Sequence, residues 1–266
     1  MKRSLALTAA LVVLAAGASF AAEFTDPKGD DNGPGTYVYP TDIVYTAGSF
    51  DLTAFEVTAK KNKVEFDVEM AASLDDPWRM ETGFAIQMIF IFIDTDGKEG
   101  SGHTDSLPGL NIQFDPKHAW DRCVILSPQS SSRVQQEVRT KAAAMQDSVV
   151  VPRRVSGSGK SIGASVKLED LGEGDPETWG YQVVVQSNEG FPAKGDLLTR
   201  KVNEFEGQHR FGGGTDYDCD PHVMDILAGE AVGAPEEVEL QHEMLAYECD
   251  DEGNATKMAT LKMVRK

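Results

Sequence analysis

Lys63-Val-Glu-Phe-Asp-Val-Glu-Met70 alternates strictly between apolar and polar residues. That period places Val64, Phe66, Val68 and Met70 on one face and the charges on the other, as in a strand with one face in a core. Downstream, Phe84-Ala-Ile-Gln-Met-Ile-Phe-Ile-Phe-Ile93 is almost continuously apolar and reads as a central strand covered on both faces. Further strands are expected at 50–57, 110–114, 122–126, 148–151, 161–166, 179–186, 240–248 and 256–264, with turn signals such as Asp96-Gly97, Pro108-Gly109 and Glu252-Gly-Asn254 between them. Two stretches break the pattern. Residues 132–145, rich in Arg, Gln, Glu and Ala, suit an amphipathic helix, and 222–228, after Asp220-Pro221, suit a short one. About ten strands without regular β-α alternation predict an all-β, antiparallel β-sandwich of jelly-roll type.

Residues 1–21 carry the marks of a signal peptide: Lys2 and Arg3, an apolar run from Leu5 to Ala16, and the small-residue site Ser19-Phe-Ala21. The run is short for a bilayer span and no second one follows. The expectation is therefore export to a periplasm, the cell surface or beyond, with residues 22–266 as a single domain. Cleavage would take the formal charge from −18 to −20 by removing Lys2 and Arg3. A chain this acidic repels nucleic acid and anionic lipid, so neither is expected as a partner.

Much of the acid is clustered. Asp26-Pro-Lys-Gly-Asp-Asp-Asn-Gly-Pro-Gly-Thr-Tyr-Val-Tyr-Pro-Thr-Asp42 places Asp26, Asp30, Asp31 and Asp42 in a Gly/Pro-rich segment that cannot be helical. Asp94-Thr-Asp-Gly97 brings Asp94 and Asp96 to the end of the most apolar strand. Asp216-Tyr-Asp-Cys-Asp220 alternates Asp216, Asp218 and Asp220 after three glycines. Outside the cell the usual neutraliser of such groups is calcium, which takes six to eight oxygen ligands. Each cluster has a plainer reading: solubility for the first, an Asp-Gly turn for the second, helix capping by Asp220 for the third. The second cluster is not an EF-hand, because Lys98 and Glu99 break the loop pattern and no Glu closes it.

Of three cysteines, Cys219 and Cys249 lie in the turn-rich C-terminal third and are the expected disulfide; Cys123, in a strand-like run, is expected to be a core residue. Trp78, Trp120, Tyr37 and Tyr39 are candidate ligand-binding residues, since flat aromatic faces suit pyranose C–H surfaces. Trp179 opens an apolar strand and reads as core. Enzyme motifs fail: His242-Glu-Met-Leu-Ala246 lacks a second zinc-binding His, Ser158-Gly-Lys-Ser161 lacks the first P-loop glycine, and there is no Gly-x-Ser-x-Gly elbow.

Several segments together resemble the C-terminal module of bacterial glucodextranases, a DOMON-like sandwich similar to family-nine carbohydrate-binding modules. They are 26–42, Gly48-Ser-Phe-Asp-Leu-Thr-Ala-Phe-Glu-Val57, Phe90-Ile-Phe-Ile-Asp-Thr-Asp-Gly97, Trp179-Gly-Tyr-Gln-Val-Val-Val-Gln-Ser187, Arg210-Phe-Gly-Gly-Gly-Thr-Asp216 and Asp220-Pro-His-Val-Met-Asp225. The resemblance implies a non-catalytic accessory module whose partner is an extracellular α-glucan, another polysaccharide or a cell-envelope component. The competing expectation is an envelope-associated structural module or a carrier of non-covalent haem b. Haem would need a His or Met pair facing one pocket, with Met70, Met80 and Met88 available; the absence of Cys-x-x-Cys-His excludes covalent attachment.

Overall fold

Lys63–Met70 forms a strand whose Val64, Phe66, Val68 and Met70 are all buried. It belongs to a computed structural model that describes residues 20–229 and 232–266. The expected signal peptide, save its last two positions, lies outside the described residues. In chain order the strands are β1 (Phe20–Thr25), β2 (Leu52–Lys60), β3 (Lys63–Met70), β4 (Gln87–Asp94), β5 (Ile112–Phe114), β6 (Arg122–Leu126), β7 (Val149–Val150), β8 (Val155–Ser158), β9 (Ser161–Lys167), β10 (Gly180–Ser187), β11 (Asp225–Ile226), β12 (Glu248–Cys249), β13 (Ala255–Lys257) and β14 (Ala259–Leu261). The helices are α1 (Ser131–Lys141), α2 (Leu168–Leu171) and α3 (Glu236–Leu245).

Two five-stranded sheets form the sandwich, ordered β1-β2-β3-β9-β8 and β11-β10-β4-β6-β7. Their pairings are antiparallel except β6 with β7. The inner core joins Phe55, Phe66 and Val68 of the first sheet to Ile89, Ile91, Ile93, Val183 and Val185 of the second. The other face of β4 is also covered. Met88, Phe90 and Phe92 pack into a second core with Val134 and Val138 of α1, Met244 and Leu245 of α3, and the β5–β14 pair. Burial on both faces is why β4 reads as an unbroken apolar run.

The expected helix at 132–145 is present as α1, capped by Ser130 and followed by a 3-10 turn. Two expectations are corrected. Residues 240–248 are not a strand: most of them belong to α3, whose buried positions Glu237, Gln241, Met244 and Leu245 follow helical spacing. Half of those positions are polar, so hydrophobic periodicity misses them. Residues 222–228 are not a helix; they run extended and buried, with Asp225 and Ile226 pairing with β10.

Cys219 and Cys249 are bonded, and Cys123 is buried in β6 as a free thiol. The bridged cysteines are 30 positions apart, and closing such a loop stabilises the fold by roughly 3 kcal/mol in the chain-entropy model. Reduction is therefore expected to lower the denaturation midpoint, and non-reducing peptide mapping to recover one Cys219–Cys249 peptide. A bridge to Cys123 contradicts the packing described.

Candidate metal centre and rim aromatics

The chain leaves β1 at Asp26, whose N–H donates to the Thr53 carbonyl at 3.0 Å, and turns back through Gly29, Asp30 and Asp31. Gly33 takes φ 59° beneath the Tyr37 ring, which a Cβ would strike. This turn delivers Asp26 and Asp30 to Asp51, just ahead of β2, to Asp225 in β11 and to Glu237 in the first turn of α3. All five side chains are buried. Single oxygens of Asp26, Asp30 and Asp225 lie within 4.8 Å of one another.

Some of these oxygens are occupied by backbone donors. Asp225 accepts the N–H groups of Leu52 (2.7 Å) and Ile226 (2.9 Å). Asp51 Oδ2 accepts Gly29 N–H at 2.8 Å. Glu237 accepts Ala228 N–H at 2.8 Å and also that of Gly233. Gln241 donates to the Asp30 carbonyl at 2.6 Å, pinning α3 over the turn. Five oxygens have no hydrogen-bond partner among the described residues: both of Asp26, both of Asp30, and Oδ1 of Asp51. No ion pair reaches any of the five acids among the described residues.

An ionised carboxylate buried without a partner costs several kcal/mol, and five together repel one another. Burial first, then repulsion by neighbouring acids, pushes Asp26 and Asp225 well above the usual carboxylate range. Burial likewise raises Asp30 and Glu237 to about 7 and Asp51 to about 6. Glu237 also stands against Asp26. Two carboxylates in contact need a proton or a cation between them.

The other acids named from the sequence go elsewhere. Asp31 borders the cluster but accepts the Tyr39 hydroxyl. Asp42 is remote, accepting Val44 N–H and Gln208 Nε2 on the rim of the sandwich. Oxygens of Asp94, Asp96 and Asp121 also approach within 4.8 Å. That loop is already satisfied: Asp94 pairs with Arg265 and accepts Gly97 N–H, Asp96 accepts Lys98 N–H and Ser101 Oγ, and Asp121 accepts Thr95 N–H and Oγ1. It is an Asp-Gly turn with its own cation. Asp216, Asp218 and Asp220 do not converge. Asp216 accepts Glu204 N–H, Asp218 pairs with Lys201, and Asp220 turns inward to Thr215.

Three of the four candidate ligand-binding aromatics are corrected to packing roles. Trp120 is fully buried against Phe92 and His103, with Nε1 donating to the Asp105 carbonyl. The polar residues around it in sequence belong to a loop that folds its indole inward. Tyr37 is buried and donates to the Pro221 carbonyl at 2.6 Å. Tyr39 packs edge-on against Phe50 and Phe211. Only Trp78 stays open, 38% exposed. Trp179 is core, as expected.

A family model described as the C-terminal binding-module, SLH-like, of glucodextranase matches residues 21–264. The chain belongs to this family. No curated protein matches it. Membership of the glucodextranase C-terminal module family places the chain among binding modules. A cavity of about 740 Å³ lies over β3 and β9 and is lined by Glu65, Asp67, Arg153, Arg154, Ser165 and Lys167, among others. It offers charge but little aromatic surface. Of the methionines weighed for haem, Met70 belongs to the inner core and Met88 to the outer one. Among the described residues no helix is long and apolar enough to cross a membrane.

Sequence reasoning missed Asp51, Asp225 and Glu237. Asp51 and Asp225 are single acids set in apolar runs, Phe50-Asp-Leu52 and Met224-Asp-Ile226. Glu237 follows Pro235-Glu236, a helix-start signal.

Proposed function

We propose that this chain is an exported, non-catalytic binding module for extracellular α-glucan or a related polysaccharide, with its fold locked by one calcium ion. The binding role rests on membership of the glucodextranase C-terminal module family. The calcium reading rests on the five carboxylate oxygens of Asp26, Asp30 and Asp51 that no donor among the described residues reaches. Single oxygens of Asp26, Asp30 and Asp225 converge within 4.8 Å, with Asp51 and Glu237 as neighbouring acids, and hard oxygens of this kind are the ligands that calcium takes. The same ion would replace the proton that contact between Asp26 and Glu237 otherwise requires.

On this reading calcium is structural. It ties the turn after β1, the start of β2, β11 and α3 to one point, and the glycan is bound elsewhere. Retardation on gels containing soluble α-glucans of α-1,4 and α-1,6 linkage tests the binding role. Calcium-loaded protein is expected to migrate more slowly in at least one of them. Unchanged mobility in all, with retention on isolated cell envelopes instead, favours the envelope-component role.

A further inference from the structure

Trp78 is held out on a loop that is fixed rather than loose. The Asp76 carboxylate accepts the N–H groups of Met80 (2.7 Å) and Glu81 (2.9 Å), and the Asp76 carbonyl accepts that of Arg79 at 3.1 Å. Arg79 and Glu81 take φ values of 55° and 65°, a conformation that residues with a Cβ adopt only under constraint. Thr82 then ties the loop to the first sheet by accepting Gly157 N–H at 2.7 Å.

Beside the indole lie Tyr45 and His209, with ring centroids 6.5 and 6.4 Å from that of Trp78 and 5.8 Å from each other. The surrounding polar groups pair with one another. Arg200 pairs with Glu189 at 2.7 Å and donates to the His209 carbonyl, while Asp42 accepts Gln208 Nε2 and lies 3.8 Å from His209 Nε2. The buried Tyr45 hydroxyl and Arg200 Nε have no partner among the described residues.

From this arrangement we infer that the Trp78–Tyr45–His209 rim is the subsite for one pyranose ring of a neutral polysaccharide. The inference rests on the polysaccharide reading and locates it. A flat indole face offers the apolar surface that pyranose C–H groups need. The Arg200–Glu189 pair and the neighbouring Asp42 and His209 side chains supply donors and acceptors for hydroxyls. An anionic ligand meets Asp42, Glu189 and a chain of formal charge −18, which oppose it. A neutral, polyhydroxylated ligand meets no such penalty. Trp78 is exposed while Tyr45 is buried, so the rim suits one ring stacked on the indole rather than a buried ligand.

The test uses calcium-loaded full-length protein and the α-glucan that retards it most. Trp78 is the exposed one of three tryptophans; Trp120 and Trp179 are buried. Saturating glucan is therefore expected to shift the intrinsic fluorescence of the wild type, and Trp78→Ala to abolish the shift. In calorimetry Trp78→Ala is expected to weaken affinity by roughly 30-fold, as for loss of a well-placed aromatic contact. Trp78→Phe should retain most of it. Arg153→Ala with Arg154→Ala, in the large groove over β9, should change nothing. Trp78→Ala within twofold of wild type, or a silent wild-type fluorescence on binding, overturns the subsite and leaves the polysaccharide reading standing. Wild type that binds no glucan overturns both.

Discussion

Adding millimolar calcium to metal-stripped protein at neutral pH is expected to raise its melting temperature by roughly 10 °C, and chelator to reverse the rise. A ligand at a hundredfold to a thousandfold excess over its dissociation constant stabilises by about 2.7 to 4.1 kcal/mol. For a chain of this size each kcal/mol moves the midpoint by roughly 2–4 °C. The sign of the pH dependence gives a second handle. Without metal, burial holds Asp30 and Glu237 near 7 and Asp51 near 6 in the folded state, above their unfolded values. The folded state then binds more protons than the unfolded one, so metal-free stability falls as pH rises through that range. With calcium bound the same carboxylates are ionised, and stability is lost instead as pH falls and protons displace the ion. The calcium-induced shift should accordingly grow between about pH 5 and pH 8. A shift independent of pH would detach it from these acids.

Trp120→Ala is expected to cost about 3–5 kcal/mol, the range for emptying a large aromatic site in a close-packed core. The indole is fully buried, its ring centroid is 5.3 Å from that of Phe92, and its Nε1 is the donor to the Asp105 carbonyl. Removal leaves a cavity in the outer core and an acceptor without its bond. Urea unfolding measures it, read at constant slope. A loss under about 1 kcal/mol would mean the site collapses or opens to water. Trp78→Ala, on the exposed rim, should leave the midpoint nearly unmoved.

The sandwich was legible because its strands carry their burial in their spelling. β3 alternates and has one face in the core; β4 does not alternate and has two. The disulfide was legible from where its cysteines sit. What was not legible follows from one physical fact: buried positions that hold polar side chains look like surface. Glu237 and Gln241 occupy the inner face of α3 and bond to Ala228, Gly233, Ile226 and Asp30, so α3 shows no clean apolar stripe.

The same fact hid three of the five acids in the cluster. Dense acids drew attention to Asp26 and Asp30, but equally to Asp94 and Asp96 and to Asp216, Asp218 and Asp220, which the fold satisfies with Arg265, Lys201, Thr215 and backbone donors. The more telling signal was the isolated Asp51 and Asp225, each a charge inside an apolar run. A lone carboxylate there is stable only if something neutralises it. For the aromatics, local polarity misled at Trp120, where a polar loop carries its one large apolar side chain into the core.

The most direct measurement of the central claim is calorimetric titration of calcium into metal-stripped wild type and into the Asp26→Asn, Asp30→Asn double variant at neutral pH. The account predicts one calcium per chain for the wild type, with protons released on binding, and no saturable uptake by the variant. Absence of calcium uptake by the folded wild type would contradict it, and would leave Asp26, Asp30 and Glu237 as acids that hold protons between them.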